Sequence, residues 1–98
     1  MATFKEIIQS GTPTLLDFHA TWCAPCKTLA PILEDVKNEL KGGVRILKID
    51  VDKNQELAAK YKIRGVPTMI LFKQGEIVWR ESGVMDRNIL ISKIKPVI

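Results

Sequence analysis

Runs of apolar residues alternate with amphipathic stretches along the chain, and this pattern predicts four strands and four helices. The apolar runs at positions 14–20, 44–50, 68–72 and 77–81 have the length and residue types of strands. The longest amphipathic stretch, 27–41, repeats apolar residues at helical spacing and ends at Gly42-Gly43. Shorter helices are predicted at positions 4–8, 55–61 and 87–95.

Polar residues before three of these helices indicate where each helix begins. Thr3, Asp52 and Asp86 are predicted N-caps, because short side-chain oxygens accept hydrogen bonds from the free N–H groups of a first helical turn. The residues at 73–76, Lys-Gln-Gly-Glu, predict a hairpin between the last two strands. Parallel strands joined by helices, followed by a hairpin, predict an α/β protein with a mixed sheet covered on both faces.

Composition limits the classes of protein that the chain can represent. The 98 residues predict one small domain spanning positions 1–98, and 46% hydrophobic and 27% charged residues are ordinary for a globular protein. The net charge is +4, but basic and acidic residues are interleaved, which does not favour nucleic-acid binding. The apolar runs are too short to span a membrane. Positions 1–6 lack the basic start of a leader peptide, so we expect a cytoplasmic protein.

The chain's two cysteines, Cys23 and Cys26, stand three positions apart at the start of the longest predicted helix. Cys26 continues the apolar stripe of that helix backwards, so we expect it to point inward and Cys23 to be more exposed. The free N–H groups and dipole of a helix N-terminus stabilise a thiolate. Pro25 suits the first turn, where its missing N–H costs little. These features predict a reactive Cys23.

Three interpretations of the pair follow from the residues alone. A zinc site needs about four ligands, and the chain offers two cysteines and one histidine, His19, so a metal site would require a dimer. An inert pair that fills the core is the second interpretation. A catalytic dithiol is the interpretation we favour, because Cys-x-x-Cys beside a strand and helix is typical of thiol–disulfide chemistry.

Asp17 interrupts an apolar strand, where an unpaired carboxylate is costly to bury. It is either a residue near the strand end that reaches solvent or a buried carboxyl with a raised pKa that can exchange a proton. Lys48 lies similarly between apolar residues of the next strand.

Several segments of the chain together resemble the thioredoxin family. They stand in the family's order over nearly the whole sequence: positions 17–27, 30–32, 48–52, 64–68, 72–75 and Gly83. The resemblance implies the thioredoxin fold, which is a central mixed sheet of four strands flanked by helices on both faces. The leading strand of the family is expected to be shortened or absent here.

The resemblance also implies a function, namely reduction of protein disulfides by thiol–disulfide exchange through a mixed disulfide. Cys23 would be the nucleophile and Cys26 the resolving thiol. Asp17 would act on Cys26 as a base through water, with Lys48 as its electrostatic neighbour. Pro67 would follow a cis peptide bond. The expected substrate-binding surface comprises Trp22, Ala24, Pro25, Gly65, Val66, Pro67 and Gly83.

The partners that the resemblance implies are disulfide-containing proteins and a flavin- and NADPH-dependent thioredoxin reductase. The chain itself lacks a Gly-x-Gly-x-x-Gly fingerprint and is expected to bind no cofactor and no metal, and to be a monomer. Two other interpretations remain open: a redox-silent scaffold with the same fold, and an oxidase or isomerase in an oxidising compartment.

Two residues depart from the family pattern. Ala24 stands where the family usually has glycine, and the dipeptide between the cysteines tunes the redox potential. His19 stands where many relatives carry tryptophan. On a strand it shares a face with Asp17, so it either perturbs the proton balance of the site or is simply a packed, hydrogen-bonded side chain.

Overall fold

The computed structural model describes residues 3–98 and contains four helices and four strands in that part of the chain. The helices are α1 (Phe4–Gln9), α2 (Ala24–Leu40), α3 (Gln55–Lys60) and α4 (Arg87–Ile94). The strands are β1 (Thr14–His19), β2 (Arg45–Asp50), β3 (Thr68–Lys73) and β4 (Glu76–Ser82). Single turns of 3₁₀ helix, Lys41–Gly43 and Lys95–Val97, follow α2 and α4. Met1 and Ala2, on which the prediction of no leader partly rests, lie outside the described residues.

The four strands form one mixed sheet in the order β2-β1-β3-β4. β1 pairs in parallel with β2 and antiparallel with β3, so Asp17 is the direct neighbour of Lys48 on one side and Met69 on the other. β3 and β4 form the predicted hairpin, whose two loop residues, Gln74 and Gly75, both have positive φ. This is the backbone conformation that a tight two-residue hairpin requires.

Each face of the sheet is covered by its own apolar core, as the alternation along β1 requires. Leu15 packs with residues of α2 and α4, including Leu29 and Leu90. Leu16 and Phe18 point to the other face, where they pack with residues contributed by α1 and β3 and with Leu57 of α3. The predicted mixed sheet with helices on both faces is confirmed.

One helix start differs from the prediction. α2 begins at Ala24, directly after Cys23, so the predicted positions of Cys23 at the helix start and Pro25 in the first turn are confirmed, and Pro31 lies in the interior of the helix. Asn54, rather than the predicted Asp52, occupies the N-cap position of α3, and its side chain makes no capping bond. Asp52 is wrong as a cap because its carboxylate binds a residue of another segment, described below. Thr3 is confirmed as the cap of α1, since its Oγ1 accepts a 3.1 Å bond from the Glu6 N–H.

Within residues 3–98, no strand precedes α1, and β2 pairs with a strand on one side only. None of the helices described is long and apolar enough to cross a membrane.

Candidate active site

The two cysteines lie beyond the carboxyl ends of the parallel strands β1 and β2. β1 ends at His19, a short loop follows, and α2 begins directly after Cys23. β2 ends at Asp50 on the same edge of the sheet, because β1 and β2 run in the same direction. This edge is where open α/β sheets place their ligand sites, since the loops that leave neighbouring strands converge there.

Cys23 and Cys26 form a disulfide, with their Cα atoms 5.3 Å apart. Cys23 is the N-cap of α2, and its Sγ accepts a 3.2 Å hydrogen bond from the N–H of Cys26 in the first helical turn. The same sulfur lies 3.6 Å from the carbonyl oxygen of Val66, which reaches the site from the loop before β3. A helix N-terminus that donates to sulfur stabilises a thiolate at that position.

The two cysteines are equally buried, so the prediction that Cys23 is more exposed is wrong for this disulfide form. Cys23 is 4% exposed and Cys26 is 6% exposed. Both pack with Ala20, and Val51 and Val66 cover this small cluster. The side chains differ in their neighbours instead, because Cys23 lies beside Val66 whereas Cys26 lies one turn into α2 and lines a separate cavity.

Asp17 and Cys26 line the same small cavity on the α2 side of the sheet. Its volume is about 150 Å³, which is enough for several water molecules. Asp17 is buried, and its Oδ1 has no hydrogen-bond partner among the residues that the structure describes. The cavity is lined by Asp17, His19, Ala20, Thr21, Cys26, Lys27, Ala30 and Lys48.

Burial raises the pKa of the Asp17 carboxyl, because removal from water disfavours its charged form. The charges of His19 and then Lys48 lower this pKa, but by less than burial raises it. The interpretation of Asp17 as a buried carboxyl with a raised pKa is therefore confirmed, and that of a residue reaching solvent is wrong. Lys48 lies beside Asp17 in the β1–β2 register, with no salt bridge between them in residues 3–98.

A second cleft lies on the other side of the cysteines, beside Cys23. Its volume is about 160 Å³, and it is mostly apolar except for one charged residue, Arg64. Trp22 forms one of its walls and is 69% exposed, so this tryptophan is not part of the core. The lining residues are Trp22, Val51, Ile63, Arg64, Gly65 and Val66.

The structure brings Pro67 and Gly83 together next to this cleft. The Val66-Pro67 peptide bond is cis, and the N–H of Gly83 donates a 2.9 Å hydrogen bond to the carbonyl oxygen of Pro67. Thr68, which the sequence did not single out, is buried at this junction. Its Oγ1 donates to the carbonyl of Gly65 at 2.7 Å and lies 3.1 Å from the Ser82 hydroxyl.

Asp52 is a second residue that sequence reasoning missed at the site. Its Oδ2 accepts a 2.9 Å hydrogen bond from the indole N–H of Trp22. Its position just after β2 could have revealed this contact, because the loops that follow two neighbouring parallel strands leave the sheet at the same edge. Ala24 and Pro25 are exposed on the first turn of α2 and line neither the cavity nor the cleft.

Three features of this site define a class of protein. They are the disulfide at the N-terminus of α2, the buried carboxyl of Asp17 on one side of it, and the open apolar cleft on the other side. The class is the dithiol–disulfide oxidoreductases, in which one cysteine pair exchanges with the disulfides of other molecules. Within residues 3–98, no three His, Cys, Asp or Glu side chains lie close enough together to hold a metal ion.

Comparison with known proteins agrees with this class. The family model described as Thioredoxin matches residues 1–96. A thioredoxin of Rickettsia felis is 43% identical over 90 residues, which are 92% of this chain and 86% of the relative. Thioredoxin C-2 of Corynebacterium nephridii is 44% identical over 91% of this chain and 82% of its own. A bifunctional thioredoxin reductase/thioredoxin of Mycobacterium leprae is 39% identical over 97% of this chain, which spans 21% of that protein.

Solved structures show the same relationship. A mutant thioredoxin from Halobacterium salinarum superposes with a TM-score of 0.86 at 38% identity, over 95% of this chain and 80% of its own. Oxidised mitochondrial thioredoxin 3 of Saccharomyces cerevisiae has a TM-score of 0.84 at 31% identity, over 95% and 86% of the two chains. The chain belongs to the thioredoxin family. It has the thioredoxin fold and is a thiol–disulfide oxidoreductase with protein-disulfide reductase activity.

Proposed function

We propose that Cys23 is the nucleophile and Cys26 the resolving thiol of this reductase. The observation that supports this assignment is the bond from the Cys26 N–H to the Cys23 sulfur, which puts that sulfur at the positive end of α2. Cys26 is one turn further along the helix, where it lines the cavity that also contains Asp17. The Cys23 sulfur is therefore next to the helix N-terminus, whereas Cys26 is next to the cavity of Asp17.

In the first step, the Cys23 thiolate attacks one sulfur of a substrate disulfide. A Cys23–substrate bond forms, the substrate's own disulfide breaks, and the second substrate sulfur leaves as a thiolate that takes a proton from water. The backbone N–H of Cys26 stabilises the Cys23 thiolate before the attack, and Val66, whose carbonyl oxygen lies 3.6 Å from the Cys23 sulfur, also lines the docking cleft.

In the second step, Cys26 attacks the Cys23 sulfur, the bond between Cys23 and the substrate breaks, and the Cys23–Cys26 disulfide forms. The substrate sulfur leaves as a thiolate that takes a proton from water. The Cys26 thiol must lose its proton before it attacks. Asp17 accepts that proton, through water in the cavity that both side chains line. A carboxyl whose pKa is raised by burial is a stronger base than an exposed carboxyl, and Lys48 is its electrostatic neighbour.

The substrate segment docks in the apolar cleft beside Cys23. Trp22, Gly65 and Val66 line this cleft, and Pro67 and Gly83 adjoin it through their mutual hydrogen bond. An extended peptide can pair with the free backbone groups of such an irregular loop. Ala24 and Pro25, exposed on the first turn of α2, bound the docking surface on the helix side.

The partners and setting belong to the same proposal. Disulfide-containing proteins are the substrates, and a flavin- and NADPH-dependent thioredoxin reductase restores the dithiol. The bifunctional reductase/thioredoxin of Mycobacterium leprae supports this pairing, because its name joins the two activities in one chain. We propose that residues 1–98 act as a single thioredoxin domain, as a monomer, in the reducing cytoplasm, without nucleic acid, membrane or bound cofactor.

Insulin reduction coupled to a thioredoxin reductase tests the roles of the two cysteines. We expect Cys23→Ser to abolish turnover and to form no covalent complex. Cys26→Ser should also stop turnover, but it should accumulate a mixed disulfide with substrate that dithiothreitol releases. A trapped complex in Cys23→Ser rather than in Cys26→Ser would reverse the assignment, and undiminished turnover in either variant would show that the substituted cysteine takes no part in exchange.

A further inference from the structure

His19 shares the cavity of Asp17 and Cys26, yet the mechanism above does not use it. It is the last residue of β1, two positions after Asp17, so the two side chains lie on the same face of the strand. Two residues of strand span about 6–7 Å, so the imidazole and the carboxyl lie within strong Coulomb range. The imidazole is half-buried and makes no hydrogen bond to another residue within 3–98, whereas Asp17 is 3% exposed.

The charged groups around His19 come from three elements. Asp17 lies on its own strand, Asp50 is its neighbour on β2, and Lys48 stands two residues before Asp50. Cys26 and Lys27 face the cavity from α2. Among these groups, Asp17 is the buried carboxyl with an unpartnered oxygen, so the charge of the imidazole affects Asp17 most.

We propose that His19 is a positioning residue for proton transfer, whose protonated ring keeps the Asp17 carboxyl ionised and ready to accept the Cys26 proton. This inference rests on the proposed roles of Asp17 and Cys26. The ring forms no bond to substrate and carries no electrons. It acts only through its charge, which favours the carboxylate over the neutral acid across the shared cavity.

Lys48 does not replace His19 in this role, although both cations line the cavity. Lys48 is exposed, and water screens its charge, whereas the half-buried ring acts through a less polar medium. Consistent with this difference, His19 lowers the pKa of Asp17 more than Lys48 does.

Two substitutions at this position separate charge from packing. His19→Gln removes the positive charge at every pH, so the titration midpoint of Asp17 should rise by about 0.5–1 pH unit. His19→Lys retains a positive charge through neutral pH, so the midpoint should stay at or below the parent value. Arg45→Gln is the matched control, because it also removes one positive charge from the sheet, at an exposed position on the opposite strand face. Carboxyl-detected NMR measures the midpoint, with Asp17→Asn to assign the signal.

A second experiment titrates the His19 ring itself in Asp17→Asn. It uses no substitution at His19, so it does not depend on whether the His19 variants fold. The chain contains one histidine, so its ring signals are unambiguous in NMR. Coupling between two sites is mutual, and removal of the Asp17 charge should therefore make the ring release its proton at lower pH. We expect the ring titration of Asp17→Asn to move down by the same increment by which His19→Gln moves Asp17 up.

The kinetic consequence appears in the second step of exchange. The rate at which Cys26 releases a trapped substrate should fall about three- to tenfold in His19→Gln below the Asp17 midpoint, and should match the parent at higher pH. Equal Asp17 midpoints in His19→Gln, Arg45→Gln and the parent would overturn the proposal. The titrations need no turnover, so a measured coupling with no change in the release rate would instead refute the proposed role of Asp17.

Discussion

The indole Nε1 of Trp22 donates a 2.9 Å hydrogen bond to Oδ2 of Asp52, a residue thirty positions later in the chain. The bond joins the loop after β1 to the loop after β2, and it holds an indole that is otherwise 69% exposed. The Asp52 side chain makes no other hydrogen bond within residues 3–98. The bond therefore fixes the indole that forms one wall of the apolar cleft beside Cys23.

Asp52→Ala should weaken substrate binding with little loss of stability. The bond has a charged acceptor but is exposed, so we expect its loss to cost about 1 kcal/mol, which is about a fivefold rise in KM for a protein disulfide. The kcat of the chemical steps should be unchanged. Insulin-reduction kinetics measure both constants, and Asp35→Ala, an exposed aspartate on α2, is the control. A KM equal to that of the control would show that the hydrogen bond from Trp22 to Asp52 does not contribute to substrate binding.

Asp17→Asn should change how the free energy of unfolding depends on pH. Burial raises the pKa of Asp17, so between the unfolded value of about 3.9 and the higher folded value the native state binds more protons than the unfolded state. The parent should therefore lose stability as pH rises through this window, by up to about 1.4 kcal/mol per pH unit. The variant should lack this slope and be the more stable protein at higher pH.

Guanidinium denaturation at pH values from 4 to 9 measures this difference, with Asp35→Asn as the control for a change at an exposed aspartate. Parallel stability curves for parent and Asp17→Asn would contradict a raised pKa at this carboxyl.

Gly83→Ala should destabilise the protein through its backbone alone. Gly83 has φ of +92°, and a Cβ added there meets no atom within 4 Å. The side chain would therefore not clash, but an L-residue in this conformation costs about 1 kcal/mol. Gly11→Ala is the matched control, because it has the same open surroundings and no positive φ. Thermal denaturation measures the Tm of each variant. An equal fall in Tm in Gly83→Ala and Gly11→Ala would refute the conformational explanation.

Arg80→Met should loosen the loop that leads to the cleft. The Arg80 guanidinium donates to the carbonyl oxygens of Tyr61 and Lys62, and Lys62 has a positive φ of 53°. Loss of both bonds from an exposed arginine should cost about 1 kcal/mol of local stability. Hydrogen exchange at the amides of residues 62–66 should accelerate about fivefold, with no change in Arg45→Met. Unchanged exchange at those amides would show that contacts other than the Arg80 hydrogen bonds stabilise this loop.

The apolar patterns of the chain predicted most of the fold because burial follows the apolar residues. The apolar run of β1 is buried on both faces of the sheet, and the stripe through Cys26 and Leu29 is the buried face of α2. The apolar stripe alone does not show that α2 begins at Ala24, because Ala24 and Pro25 are exposed; the start was predicted instead from the positions of Cys23 and Pro25. Helix ends depend on local bonds such as that from Cys26 to Cys23, which periodicity does not reveal.

The candidate site was predictable only where its residues contrast with their neighbours. Asp17 stood out because a carboxyl interrupts an apolar run, whereas Asp52 lies in a polar turn where an aspartate is ordinary. The equal burial of the two cysteines depends on Val51 and Val66, which come from distant segments. The pairing of these segments is a property of the tertiary structure, and nothing in the local sequence signals it.

The position of β2 at one edge of the sheet also bears on self-association. On the outer side of β2, the backbone N–H and C=O groups pair with no other strand within residues 3–98. An edge of unpaired backbone groups can bind a strand of another molecule. Arg45 and Lys48 are both exposed on β2. Two copies that approached edge to edge would bring these cations together, at a cost in repulsion. The lysine that neighbours the buried carboxyl thus also helps to keep the sheet from growing across molecules.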